Sequence, residues 1–110
     1  MEQGTTKALR QRQKTLLRKL PPLQAILRGS LIERYKRCGK PGCKCAEGRG
    51  HGPKYYLSIS QSGRRPEMDY IPAEFLEKVK AYLKNYRNAK EILEELCSIC
   101  RELLRRRERF

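Results

Sequence analysis

A heptad repeat in the last third of the chain sets the strongest limit on the fold. From residue 75 to residue 103, apolar residues alternate spacings of four and three, which predicts one long helix with a coiled-coil seam. The seam comprises Phe75, Val79, Tyr82, Tyr86, Ala89, Leu93, Leu96, Cys100 and Leu103. A helix over residues 73–110 would extend about 57 Å, which a chain of 110 residues cannot cover. We therefore expect the seam to pack on an N-terminal helix, on a second copy of the chain, or on another protein.

The N-terminal segment predicts a second, strongly basic helix. Leucines recur there at helical spacing among lysines and arginines, and Pro21 and Pro22 end the pattern. A short helical turn follows before Gly29. Residues 1–29 are therefore predicted to form a basic helical arm.

The middle of the chain changes to the period of two that is typical of strands. The pattern appears in three segments, which read "SLIERYKRC", "KYYLSIS" and "PEMDYI", and it predicts a three-stranded antiparallel sheet within residues 30–72. Alternation directs Tyr55, Leu57 and Ile59 toward the core. The predicted fold class is α+β, in which the N-terminal helix, the sheet and the coiled-coil helix of residues 73–110 form one compact unit without independent domains.

The loop between the first two predicted strands has the composition of a zinc site. Cys38, Cys43, Cys45 and His51 follow the spacing C-x4-C-x-C-x5-H, and glycines and prolines separate them. Zinc prefers four such ligands in a tetrahedron, and glycine lets the backbone turn between them. We expect one structural Zn²⁺, since all four ligands are used. The alternatives are a basic loop with incidental thiols, or a redox pair formed by Cys43 and Cys45.

Positive charge indicates a polyanionic partner. The chain has 26 Lys and Arg against 12 Asp and Glu, a formal net charge of +14. Nucleic acid is the first candidate, and basic charge that serves solubility alone is the alternative. Basic side chains of the sheet and loop would contact phosphates, and a tyrosine among them would stack on bases. These candidates are Arg34, Lys36, Lys40, Lys44, Lys54, Tyr56, Arg64 and Arg65.

Other features narrow the class of protein. The chain has no run of eighteen apolar residues and no apolar N-terminal stretch, so we expect a cytoplasmic protein without a membrane partner. The only histidine belongs to the zinc motif, and no nucleophile with a base or phosphate-cradling loop is evident, so we expect no enzyme. Cys97 and Cys100 lie three residues apart on the long helix. They are expected to be small packed thiols, with a metal-ligand pair shared across a dimer as the alternative.

The cysteine segment also resembles a short bacterial and archaeal family that is often found near transposons, phages and other mobile elements. The family hallmark has the form R-C-G-K-x-x-C-x-C-x-x-G-x-x-H-G-P-Y-Y, and this chain departs from it by placing Lys54 before the tyrosines. The matching residues are Arg37, Cys38, Gly39, Lys40, Cys43, Cys45, Gly48, His51, Gly52, Pro53, Tyr55 and Tyr56. The resemblance implies a zinc-motif domain with a coiled coil, and its genomic context favours DNA over RNA.

The function expected from the sequence is a non-enzymatic, zinc-stabilised accessory protein that binds nucleic acid as a homodimer through its C-terminal helix. The alternative is a protein adaptor that docks a recombinase or another large partner through the helical seam.

Overall fold

A computed structural model describes residues 4–36 and 51–109. Helix α1 spans Thr6–Lys19, and a 3-10 turn follows at Leu23–Ala25. The strands are β1 (Ser30–Lys36), β2 (His51–Gln61) and β3 (Arg64–Ile71). A second 3-10 turn at Ala73–Phe75 leads into helix α2, Leu76–Arg105. The α+β class, the N-terminal helix, the antiparallel sheet and the long C-terminal helix are therefore confirmed, whereas residues 37–50, which hold the predicted cysteine ligands, lie outside the described residues.

The sheet is an antiparallel meander in the order β1-β2-β3. Strands β2 and β3 join through a two-residue turn, Ser62 and Gly63, because Gln61 pairs with Arg64. Gly63 has φ +69°, a conformation that glycine adopts without a side-chain clash. The register shifts once in each strand pair, near the end of the strands. These shifts leave the central pairs in direct opposition, which fixes the face on which each side chain lies.

Contacts within the chain group into two compact units, and Leu27–Leu83 is the unit that contains the sheet. Its core consists of Leu57, Ile71 and Leu83, with the partly buried side chains of Leu27, Leu31, Tyr55, Ile59, Leu76 and Val79 against it. The predicted inward direction of Tyr55, Leu57 and Ile59 is confirmed. One sheet face is therefore covered by the start of α2 and the segment before β1.

The other unit contains Met1–Ile26 and Lys84–Phe110. Helix α1 packs there on the second part of α2 through Leu9, Leu16, Ile99 and Leu103, and Ile92 and Leu96 flank this core. The Thr5 side chain caps α1 by accepting a hydrogen bond from the amide of Ala8 at 3.0 Å. The N-terminal helix is therefore one of the three partners expected for the seam.

Within the chain, α2 uses only part of the predicted heptad seam. Phe75 and Leu93 are 51% and 54% exposed, while Leu83 and Ile99 are buried although they lie outside the predicted seam. An α-helix has 3.6 residues per turn, so a strict seven-residue repeat drifts by about 20° per heptad around a straight helix. The buried stripe therefore moves around the helix, and a neighbouring apolar residue is buried in place of the predicted one, as Leu83 is in place of Tyr82.

The described part of the chain has no helix that is long and apolar enough to cross a membrane.

Candidate nucleic-acid interface

Strand register gathers basic and aromatic side chains on the sheet face opposite the core. Residues directly opposite each other on neighbouring strands share a face. Tyr56 pairs with Ile32 and Tyr70, and Arg34 pairs with Lys54. We call this surface the open face. Its side chains are those of Ile32, Arg34, Lys54, Tyr56, Ser58, Met68 and Tyr70.

Two tyrosines form the centre of the open face. Tyr56 lies on the middle strand, and its ring centroid is 5.7 Å from that of Tyr70 at an interplanar angle of 66°. This is an edge-to-face contact, which aromatic pairs favour because the positive ring edge meets the negative ring face. Tyr70 is nevertheless 56% exposed. More than half of the Tyr70 side chain on the open face is thus left uncovered by the part of the chain that the structure describes.

Arg34 and Lys54 place two positive charges at one end of the tyrosine pair. Their backbones are direct cross-strand partners and both side chains are exposed. The guanidinium carbon of Arg34 lies 5.6 Å from the centroid of the Tyr56 ring, a cation–π contact. Like charges directly opposite each other destabilise a sheet. A bound anion would relieve this repulsion, and a phosphate matches a pair of cationic donors at this position.

The sheet separates its charges by face. The acidic residues of the described strands are Glu33, Glu67 and Asp69, and the register pairs them with Tyr55, Ile59 and Leu57, whose side chains lie on the core side. Glu33 also accepts a hydrogen bond from the Tyr35 hydroxyl at 2.5 Å. Among the described residues, the open face therefore carries positive formal charge only.

The residues predicted to bind nucleic acid do not all lie at the same place in the structure. The structure brings Arg34, Lys54 and Tyr56 together on the open face. Arg64 and Arg65 are exposed beside the turn between β2 and β3. From Tyr70 to Arg64 is six residues, or about 20 Å along a strand, so these two arginines are not part of the tyrosine cluster. Lys36 ends β1 and pairs with His51, whereas Lys40 and Lys44 lie outside the described residues.

Tyr70 is the aromatic residue of the open face that the site predicted from sequence omits. The signal is present in "PEMDYI", where alternation places Tyr70 and Met68 on one face and Asp69 and Ile71 on the other. Only the register of the hairpin shows that this face is also that of Tyr56. The register in turn depends on the two-residue turn and on the irregular pairing between Ile59 and Gln61.

The zinc site remains a prediction. Cys38, Cys43 and Cys45 lie outside the described residues, and His51 is the first residue of β2. Across residues 4–36 and 51–109, no three metal-binding side chains come together. Cys97 is an exposed free thiol, and Cys100 is a half-buried one whose sulfur accepts a hydrogen bond from the Gln13 amide at 3.5 Å. The donor set of three thiolates and one imidazole suits zinc chemically.

The fold and the open face define a small α+β protein whose three-stranded sheet precedes a long C-terminal helix. The chain belongs to the family described as domain of unknown function DUF6788, which matches residues 6–81. This match covers α1, the sheet and the first turns of α2. Comparison with curated proteins and with solved structures finds no match.

Proposed function

We propose that this protein is a non-enzymatic, zinc-stabilised accessory protein that binds nucleic acid through the open face of its sheet. One observation carries the proposal: Arg34 and Lys54 lie beside an exposed tyrosine pair on a face whose described residues include no acidic side chain. The net charge of +14 also attracts the chain as a whole to a polyanion such as nucleic acid. We favour DNA over RNA because of the mobile-element association of the family that the cysteine segment resembles.

Phosphate binding explains why two cations are placed opposite each other. Neutralised phosphates release condensed counterions, so the affinity for nucleic acid should fall steeply as the salt concentration rises. The Arg34 guanidinium can donate two parallel hydrogen bonds to one phosphate, while the Lys54 ammonium acts as a point charge. In this proposal, zinc held by Cys38, Cys43, Cys45 and His51 stiffens the connection between β1 and β2.

The test is a salt titration of binding to a fluorescent oligonucleotide by anisotropy. Arg34→Ala with Lys54→Ala should weaken binding and reduce the slope of log K against log salt by about 1.4–1.8. The matched control is Lys84→Ala with Arg87→Ala, which removes the same charge from exposed positions of α2. An equal loss of affinity in the two double variants would mean that binding depends only on net charge. The open face would then not be the interface.

The proposal includes a homodimer through α2. Leu93 and Leu104 are 54% and 52% exposed, and Cys97 between them is exposed as well. Together with Cys100 they follow spacings of four, three and four, which places them on one stripe of the helix. Apart from the half-buried Cys100, this stripe is surface that the described residues leave exposed, and a second copy could cover it.

The adaptor is the second candidate, and the same stripe supports it. Light scattering on the purified protein separates the two candidates. A dimer that becomes monomeric in Leu93→Glu with Leu104→Glu would support self-association. If the wild-type protein is monomeric, the stripe is not covered by a second copy, and the adaptor function is favoured, in which another protein binds the stripe.

A further inference from the structure

We propose that the open face selects unpaired bases, so that the preferred ligand is single-stranded nucleic acid rather than a duplex. The inference rests on the proposed function and names its substrate class. It assigns base stacking to Tyr70, phosphate contact to Arg34 and Lys54, and a positioning role to Tyr56.

Tyr70 is the ring that can accept a base. The guanidinium of Arg34 already lies over the ring of Tyr56, at 5.6 Å from its centroid. Tyr56 is also half-buried, whereas Tyr70 is 56% exposed. The interplanar angle of 66° means that one base cannot lie flat on both rings. Tyr56 therefore fixes the position of Tyr70 through the edge-to-face contact, and the exposed part of Tyr70 is the aromatic surface that can meet a base.

The open face around Tyr70 includes apolar side chains that a stacked base could contact. Met68 lies two residues before Tyr70 on the same face of β3, and Ile32 lies on β1 with Tyr56 between it and Tyr70. Both side chains are half-buried. They offer apolar and polarizable contact to the flat surface of a base. The positions of Arg34 and Lys54 are one row further along the strands, and rows on one face are about 7 Å apart. Tyr70 on β3 is also one strand away from Lys54 and two strands away from Arg34, at about 4.8 Å per strand. The base on Tyr70 and the phosphates on the two cations would therefore lie in different rows of the open face.

A duplex cannot use this arrangement. Its bases are stacked on both sides, so their faces are closed to a protein ring unless a base leaves the helix. Unpaired bases expose those faces, and their stacking on an aromatic side chain tolerates any sequence because every base has a π-face. Duplex binding would therefore use only the cations of the open face.

The experiment compares an oligothymidylate and an oligouridylate of about 20 nucleotides with a mixed-sequence duplex of the same length. Tyr70→Leu should weaken binding of the single strands roughly five- to 150-fold, the range expected from the loss of one stacked base. Binding of the duplex should change less than about twofold. Tyr70→Phe keeps the ring and should retain single-strand binding, which makes it the matched control.

Two further readouts separate stacking from charge. Tyr70 is neutral, so the salt dependence of single-strand binding should keep its slope in Tyr70→Leu. The chain has no tryptophan, so Tyr70→Trp introduces a local fluorophore. Its emission should be quenched by the single strands and unchanged by the duplex. The affinities for the oligothymidylate and the oligouridylate show whether single-stranded DNA or RNA is preferred.

The outcomes distinguish this inference from the function on which it rests. Equal affinity for single strands and duplex, or full single-strand binding by Tyr70→Leu, would overturn base stacking and leave nucleic-acid binding in place. Absence of binding to any of the three probes at low salt would overturn both. Binding of a protein partner that Tyr70→Leu abolishes, without any nucleic-acid binding, would reassign the open face.

Discussion

Replacing Lys54 with glutamate should strengthen the fold and weaken nucleic-acid binding in the same molecule. Lys54 is the direct cross-strand partner of Arg34, and both side chains are exposed. In Lys54→Glu, a repulsive pair becomes an attractive one at a fixed position of the sheet. Opposite-charge cross-strand pairs contribute about 0.2–1 kcal/mol and like pairs oppose folding, so we expect a gain of about 0.5–1 kcal/mol at low salt. The same change removes a phosphate contact from the open face.

Thermal unfolding followed by circular dichroism measures the first effect. A gain of this size should raise Tm by about 2–6 °C at low salt. It should shrink at about 1 M salt, where the Debye length is about 3 Å. Anisotropy measures the second effect, because loss of one phosphate contact should lower the salt slope by about 0.7–0.9. Lys54→Gln removes the repulsion without adding an attraction and should lie between wild type and Lys54→Glu in Tm.

Two results would refute this reasoning separately. A Tm at low salt that is unchanged or lower in Lys54→Glu would show that Arg34 and Lys54 do not repel each other in the folded sheet. Retained affinity for nucleic acid would show that phosphates bind elsewhere. The control for the binding measurement is Lys84→Glu, which makes the same change in net charge at an exposed position of α2.

Three further predictions test the fold and the loop. Gly29→Ala should lower the free energy of unfolding in urea by about 1–3 kcal/mol, because φ is +146° and the new Cβ would lie 2.7 Å from Leu57 Cδ1. The control Gly63→Ala has φ +69° and no atom within 4 Å of the new Cβ, so it should lower the free energy of unfolding by only about 1 kcal/mol. The Arg12 hydrogen bond holds the pKa of Glu95 below its usual range. This pair therefore adds stability at neutral pH that is lost as pH falls through the lowered pKa, and Arg12→Gln should flatten the dependence of Tm on pH on the acid side of the ordinary glutamate pKa. Elemental mass spectrometry should find one zinc per wild-type chain and none in Cys43→Ser, and absence of zinc from the wild type would end the zinc-loop hypothesis.

The sequence predicts the sheet and its buried side because alternation is a local property. The period of two in "KYYLSIS" places Tyr55 and Leu57 on one face whatever the partners of the strand are. Both side chains lie in or against the core of the sheet unit. Alternation likewise separates Tyr56 from them, and Tyr56 lies on the open face.

Features that depend on register or on helix geometry could not be predicted in the same way. Tyr56 lies opposite Tyr70 only in the register that the two-residue turn sets between β2 and β3. Alternation alone would also allow a register shifted by two residues, because such a shift keeps every side chain on the same face. The choice of Leu83 over Tyr82 as a buried residue of α2 depends on the angular drift of the helix. Tertiary packing decides such choices between neighbouring apolar residues.

The open face has properties that stability alone would not favour. A sheet that needed only to fold would gain from an acidic partner opposite Arg34, yet the register places Lys54 there, and the acids of the described strands lie on the other face. Burial of Tyr70, which is 56% exposed, would likewise be favourable. Both features are unfavourable in the free protein, and both become favourable when a ligand supplies negative charge and a flat aromatic surface together. Nucleic acid is the polymer that combines the two, because every unpaired nucleotide brings one phosphate and one base. Local rules that a fold breaks without a structural gain point to functional sites. The like-charge pair of Arg34 and Lys54 breaks one such rule, and the exposed Tyr70 lies one row away on the same sheet face.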